Sequence, residues 1–187
     1  MGTDKATVVV GGRILLDRVG SALASLCPLE TLLIGGPARA NIGFAHRHVP
    51  DAWPGEGPLG GIVTALRVST TDLVLVVPCD LPDLEHASET VLSPLLAMLS
   101  GDPDLDVVVP VVAGRPQLAV AAYRSRSNVV LAGAFESGAR SLRDGLRSLC
   151  VGELVVAAGD QRSLVDLDTA NDLAAWSGTP ARRDAVQ

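Results

Sequence analysis

Aromatic side chains are nearly missing from this 187-residue chain, which has two Trp, two Phe and one Tyr. Since 48% of its residues are hydrophobic and 19% charged, the core must be assembled from Leu, Val, Ala and Ile, as in a parallel sheet covered by helices. Basic charge is also short. A formal net charge of -6 and an isoelectric point near 4.9 remove the cationic footprint of nonspecific nucleic-acid binding, so no nucleic-acid partner is expected. No apolar run approaches the ~18 residues of a membrane-spanning helix, and no basic segment leads into a hydrophobic stretch at the N-terminus. The expectation is a cytoplasmic protein with no membrane partner. Cysteine is scarce, and Cys27, Cys79 and Cys150 are far apart and outside any CxxC spacing. This fits reduced thiols better than disulfides or a zinc site, and at least two of the three are expected in the core.

What the chain does have is alternation. Short apolar runs at 6–10, 31–36, 72–77, 105–112, 118–124 and 152–158 read as strands. Helical spacing over 14–26, 58–67, 87–99, 129–136, 141–149 and 169–176 lies between and after them. Strands and helices of these lengths imply βαβ units and a mostly parallel sheet. The expected class is α/β, a Rossmann-like three-layer α/β/α sandwich. One domain is expected over 1–178, with a flexible tail over 179–187.

In such a sheet, ligands bind beyond the carboxyl ends of the strands. Asp80, in "VVPCDLP", ends an apolar strand between Pro78 and Pro82. A carboxylate there suits Mg2+, a hard cation held by one or two carboxylates plus phosphate oxygens; alone, it equally reads as a turn cap. "GEGPLGGIVTAL" combines Gly57, Gly60 and Gly61, which admit close backbone approach, with Pro58, which fixes the turn into a helix. In "SLVDLDTANDL", helix capping accounts for Thr169 and Asp172 but not for Asp166 and Asp168. His46 and His48 alternate like strand residues with no third metal ligand nearby. Cys79 has no local base and reads as an inert buried thiol.

In order, "MGTDK", "GGRILLDRV", "GPLGGI", "PCDLP", "GRPQ" and "DLDTANDL" resemble the molybdenum cofactor guanylyltransferases, within the nucleotide-diphospho-sugar-transferase-like superfamily, from Met1 to about Trp176. The resemblance implies transfer of GMP from GTP to molybdopterin with release of pyrophosphate. It implies Mg2+ as cofactor, transient contacts with molybdopterin-delivering and molybdoenzyme-maturation proteins, and a monomer or weak homo-oligomer. By the same resemblance Lys5 and Asp80 are catalytic and contact the nucleotide, together with Gly35, Gly57, Pro58, Leu59, Gly60 and Gly61. Asp51 reads the guanine, and Arg115 and Gln117 face the pterin, the guanidinium suiting a phosphate. Asp80 and Asp168 are the implied metal ligands. Gly35 stands where some relatives carry Asn. Asp166 and Asp168 stand where guanylyltransferases often have Asn and cytidylyltransferases Asp, so another NTP transferase, a CTP-dependent molybdopterin cytidylyltransferase or one with a non-pterin acceptor, is the alternative, and a catalytically silent nucleotide-binding domain a second. The family's loop reads LAGGxSxRMGxDK after a first strand, and this chain begins at the Met of that motif. A natural product longer by about twenty residues is therefore expected, and without the central first strand a hydrophobic slot should open.

Overall fold

A computed structural model describes residues 5–39 and 42–167. The helix expected over 169–176, the tail over 179–187, and Asp168 itself lie outside the described residues.

The chain enters through a tight turn at Lys5–Thr7 and a small antiparallel hairpin, β1 (Val9–Val10) and β2 (Arg13–Ile14). A continuous strand over 6–10 does not form, because Val8 N–H donates to Lys5 O at 3.1 Å and closes a turn there. Gly11 and Gly12 carry the hairpin at φ 59° and 81°, values that favour glycine. Helix α1 (Leu15–Ala24) follows and buries Leu15, Val19 and Ala22. Strands β3 (Leu32–Ile34) and β4 (Arg47–Val49) pair in parallel. Helix α2 (Pro58–Val68) starts with Pro58 in its first turn, where a missing N–H costs no helical hydrogen bond.

The larger sheet contains β5 (Leu73–Val76), β6 (Val107–Val112), β7 (Arg115–Pro116), β8 (Ala121–Arg124) and β9 (Val151–Val155). Strands β5 and β6 are both antiparallel to β8, so they run the same way, and β9 runs parallel to β6. The sheet is thus mostly parallel in direction, with β8 inserted the other way and β7 closing a hairpin on β6. Strand β8 begins at Ala121 rather than Leu118 because Val120 N–H turns back to Gln117 O. The helix expected over 87–99 is broken up. A 3-10 turn at Leu84–Ala87 and a wide turn at Ser88–Leu92 precede α3 (Ser93–Gly101). Pro94 has no N–H to give to Thr90, so a regular ladder is interrupted there. Helix α4 (Ser127–Glu136) and the short α5 (Leu142–Gly145) complete the described helices.

Alternation across the sheet makes the three layers. Val108 and Ala122 pack with Val19, Leu92, Leu95 and Leu99 on one face. Val107, Val109, Ala121 and Tyr123 pack with Leu59, Val63, Leu131 and Phe135 on the other. Both faces are covered, which is why β6 reads as an unbroken apolar run. No helix among the described residues is long and apolar enough to cross a membrane.

Two expectations about burial are corrected. Cys27 and Cys150 are exposed and Cys79 is half-buried. Cys27 lies just past the end of α1 at φ 50°, and Cys150 just ahead of β9, both outside the packed layers. Strand β3 is half-exposed at each of its residues, and so is β5. Both border an apolar cavity of about 800 Å³.

Candidate active site

Strands β5, β6 and β9 point their carboxyl ends to one edge of the sheet, and the candidate residues leave from that edge. Asp80 follows β5. Lys5 Nζ lies 3.4 Å from Asp80 Oδ2, a half-buried contact between residues 75 positions apart. The segment after β9 returns to the same place, where Leu167 N–H donates to Asp80 O at 3.1 Å. Asp166, exposed, immediately precedes it.

Arg18 fastens the surroundings of this pair. From α1 it donates through Nε to Val10 O at 3.1 Å and through Nη1 to Pro82 O at 3.1 Å, joining the N-terminal hairpin to the loop that carries Asp80. Its guanidinium also lies 3.9 Å from Glu85. Sequence reasoning missed Arg18, since its partners are brought to it only by the fold.

The second group lies beyond β3 and β4. Gly35 N–H donates to Val49 O at 2.8 Å and takes φ 72°. A Cβ built on Gly35 would stand 3.4 Å from Asp51 Cβ, so these two residues are neighbours. Asp51 Oδ1 accepts from Trp53 N–H at 3.0 Å and from Thr64 Oγ1 at 3.1 Å. Thr64 is 3% exposed, and its hydroxyl also lies 2.9 Å from Gly60 O while accepting from Ala52 N–H at 3.2 Å. One oxygen of Asp51 is therefore fixed, and the other has no partner among the described residues. Thr64 was also missed, although a lone hydroxyl within "GGIVTAL" was a legible signal of a buried polar role.

The GPLGG loop serves packing as well as approach. Gly57, at φ 92°, precedes Pro58, and a Cβ on it would meet Arg140 O at 3.0 Å. Leu59 is 1% exposed and faces the core, so only its backbone is available to a ligand. A Cβ on Gly60 would stand 3.3 Å from both Phe135 and Trp53, a tight fit in which those neighbours would have to give by a few tenths of an ångström. Gly61 has open space around its Cα and lines the cavity together with Pro58 and Asp80.

Arg115 and Gln117 occupy the hairpin beyond β6. Ala113 and Gly114, at φ 48° and 74°, make the two-residue turn, and Arg115 follows, exposed. Gln117 N–H donates to Pro110 O at 2.8 Å and its Nε2 to Arg115 O at 3.3 Å. The hairpin leaves the ligand edge, but no hydrogen bond or ion pair joins it to Lys5 or Asp80 among the described residues. His48 Nε2 sits within 3.3 Å of Gly35 O and 3.1 Å of Gly36 O. Among the described residues no group of three or more His, Cys, Asp or Glu side chains is placed to hold a metal.

Three comparisons bear on the family and the fold. Residues 1–149 match the MobA-like NTP transferase domain. The chain is 32% identical over 184 residues to a probable molybdenum cofactor guanylyltransferase of Chloroflexus aggregans, covering 92% of this chain and 85% of that protein. A 74-residue stretch is 38% identical to a protein of the same name from Bacillus thuringiensis, covering 40% of this chain and 34% of that protein. The fold is similar to that of molybdopterin-guanine dinucleotide biosynthesis protein A from Archaeoglobus fulgidus, with TM-score 0.67, 21% identity, and coverage of 93% and 89% of the two chains. It is also similar to 2-C-methyl-D-erythritol 4-phosphate cytidylyltransferase from Thermus thermophilus, with TM-score 0.72, 17% identity and 92% coverage of each chain. The chain belongs to the MobA-like NTP transferase domain family and is a nucleotidyltransferase.

Proposed function

We propose that this protein transfers GMP from GTP to molybdopterin. An oxygen of the molybdopterin phosphate bonds to the α-phosphorus of GTP, the bond from that phosphorus to the bridging oxygen breaks, and pyrophosphate leaves. The observation that carries the reading is the Lys5–Asp80 contact at the ligand edge of the sheet. It brings a cation suited to phosphate and a carboxylate suited to a hard metal to one place.

Asp51 is the group that reads the base. Its Oδ1 is held by Trp53 N–H and Thr64, and a carboxylate fixed in this way can accept from N1–H and the 2-amino group of guanine. Gly35 approaches the nucleotide through backbone alone. Lys5 aligns the phosphates, and Arg115 with Gln117 orients the acceptor. No covalent enzyme intermediate is needed, because positioning and charge stabilisation suffice for this chemistry.

The donor set fits Mg2+ of the substrate-bridging kind. Asp80 offers a hard oxygen ligand, Asp168 is the proposed second, and the remaining positions are left to phosphate oxygens and water. When bound, the ion supplies neutralisation of the triphosphate charge. Calorimetric titration of GTP with Mg2+, against CTP, tests the base assignment. Binding at least tenfold tighter for GTP supports it. Preference for CTP would transfer the assignment to a cytidylyltransferase, and binding without turnover would indicate a silent nucleotide-binding domain.

A further inference from the structure

The run His46-Arg47-His48 ties three polar side chains to three different places. His46 Nδ1 lies 3.1 Å from Phe44 O, within its own loop. Arg47 donates to the two oxygens of Glu30 at 2.6 and 2.9 Å and to Val68 O at 3.2 Å. His48, half-buried, reaches from β4 to the turn that follows β3, where its Nε2 lies 3.3 Å from Gly35 O and 3.1 Å from Gly36 O. Carbonyl oxygens only accept, so Nε2 carries the proton and shares it between them. Gly35 and Gly36 take φ 72° and 62°, two successive left-handed residues with no side chain of their own to hold them there. Strand β4 therefore grips this turn twice, through Val49 O, which accepts from Gly35 N–H at 2.8 Å, and through the His48 ring. Among the described residues no other side chain hydrogen-bonds to the two glycines.

We infer that His48 is a positioning residue for the nucleotide base, a latch that fixes the Gly35–Gly36 backbone beside Asp51. The inference rests on the reading of Gly35 and Asp51 as base contacts. A Cβ built on Gly35 would lie 3.4 Å from Asp51 Cβ, so the turn borders that carboxylate directly. His48 is in β4 and Asp51 follows just after it. One strand thus supplies both the latch and the group that reads the base. With glycine at 35 the chain offers the base only backbone there, and backbone contacts are useful only where the backbone is held. An unlatched glycine pair samples many conformations, and nucleotide binding then has to order it at a cost in affinity. The chemistry at the α-phosphorus, placed at the Lys5–Asp80 contact, is left alone.

Steady-state kinetics of three variants test this. His48→Ala should raise the KM for nucleotide by about fivefold or more, the scale of one net hydrogen bond, with kcat within about twofold of wild type. His48→Gln brings an amide N–H close to the place of the ring Nε2 and should return KM to within about twofold of wild type, whereas His48→Asn is too short and should behave as His48→Ala. An unchanged KM in His48→Ala, a fall confined to kcat, or no rescue by Gln overturns the inference. A second readout needs no nucleotide. Nitrogen NMR of the unliganded chain with the ring neutral should find the His48 proton on Nε2, and the opposite tautomer overturns the inference as well. Asp51→Asn, measured alongside, separates the latch from the base reading. A raised KM in Asp51→Asn with a wild-type KM in His48→Ala removes the latch alone, while a wild-type KM in Asp51→Asn removes the base reading and the latch with it. KM is taken for GTP and for CTP, so a preference for CTP changes the base that is named and leaves the comparison of His48 variants decisive.

Discussion

Lys5 Nζ stands 3.4 Å from Asp80 Oδ2, and Lys5 is the single lysine of the chain. No other lysine can take over the point charge it brings to the phosphates. Lys5→Ala should lower turnover by about a hundredfold or more, the range for removing one charge-stabilising group. Asp80→Ala should cost at least as much. Steady-state pyrophosphate release checks both, and wild-type rates in either variant would remove the pair from the catalytic centre.

Thr64 acts on the nucleotide through Asp51, so its effect should appear in binding rather than in the chemical step. Thr64→Val removes the hydroxyl 3.1 Å from Asp51 Oδ1 and should raise the KM for GTP by about tenfold, one hydrogen bond to a charged group, while kcat changes little. Thr64→Ser should restore wild-type values. A structural role alone would lower stability without splitting KM from kcat.

Gly20 carries the loop before β4. A Cβ there would fall 2.0 Å from the Phe44 ring, and the same loop is held by Gly43 N–H donating to Asp17 Oδ1 at 2.8 Å. Gly20→Ala should destabilise the fold by about 1–3 kcal/mol through overpacking. Combining it with Phe44→Leu should recover much of that loss in thermal melts; an unrelieved double variant would mean that the clash lies elsewhere.

Acid sensitivity should run partly through Asp106. Partial burial raises its carboxyl, but the hydrogen bond from Cys150 N–H and the Arg126 guanidinium outweigh it and hold the group below its ordinary value of 3.8. The folded state thus binds this proton less readily than the unfolded chain. The stability it contributes is fully present above the ordinary carboxylate range and is lost as pH falls below about 4. Asp106→Asn should lower the melting temperature by a few degrees at neutral pH, about 2–4 °C per kcal/mol for a chain of this size, and narrow its gap to wild type as the pH falls from 5 to 3. A gap that stays constant over that range would contradict this.

The layered α/β arrangement was legible because both faces of the sheet are covered, which leaves continuous Val and Leu runs at β5 and β6. Gly57 and Pro58 likewise announced the start of α2. Strand β4 was harder to see, since only the sequence Arg-His-Val marks it and its pairing with β3 is a long-range event. Arg18 was invisible as a site residue for the same reason, its role depending on Pro82, whereas the lone hydroxyl of Thr64 in an apolar helix hinted at a buried polar role whose partner, Asp51, only the fold supplies. The cysteines misled because a thiol's residue type suggests burial, whereas Cys27 and Cys150 sit at the ends of elements. Exposure of β3 and β5 goes with the cavity that both line; a hydrophobic slot was expected from the motif at the start of the chain, but the strands that border it were not.

The measurement that bears most directly on the central claim is pyrophosphate release with molybdopterin as acceptor, GTP and CTP compared at equal concentration with Mg2+ present. The account predicts release with GTP at least a hundredfold faster than with CTP, dependent on molybdopterin and lost in Asp80→Ala, with a guanine dinucleotide as the product. Equal rates with the two nucleotides, or faster release with CTP, would contradict it.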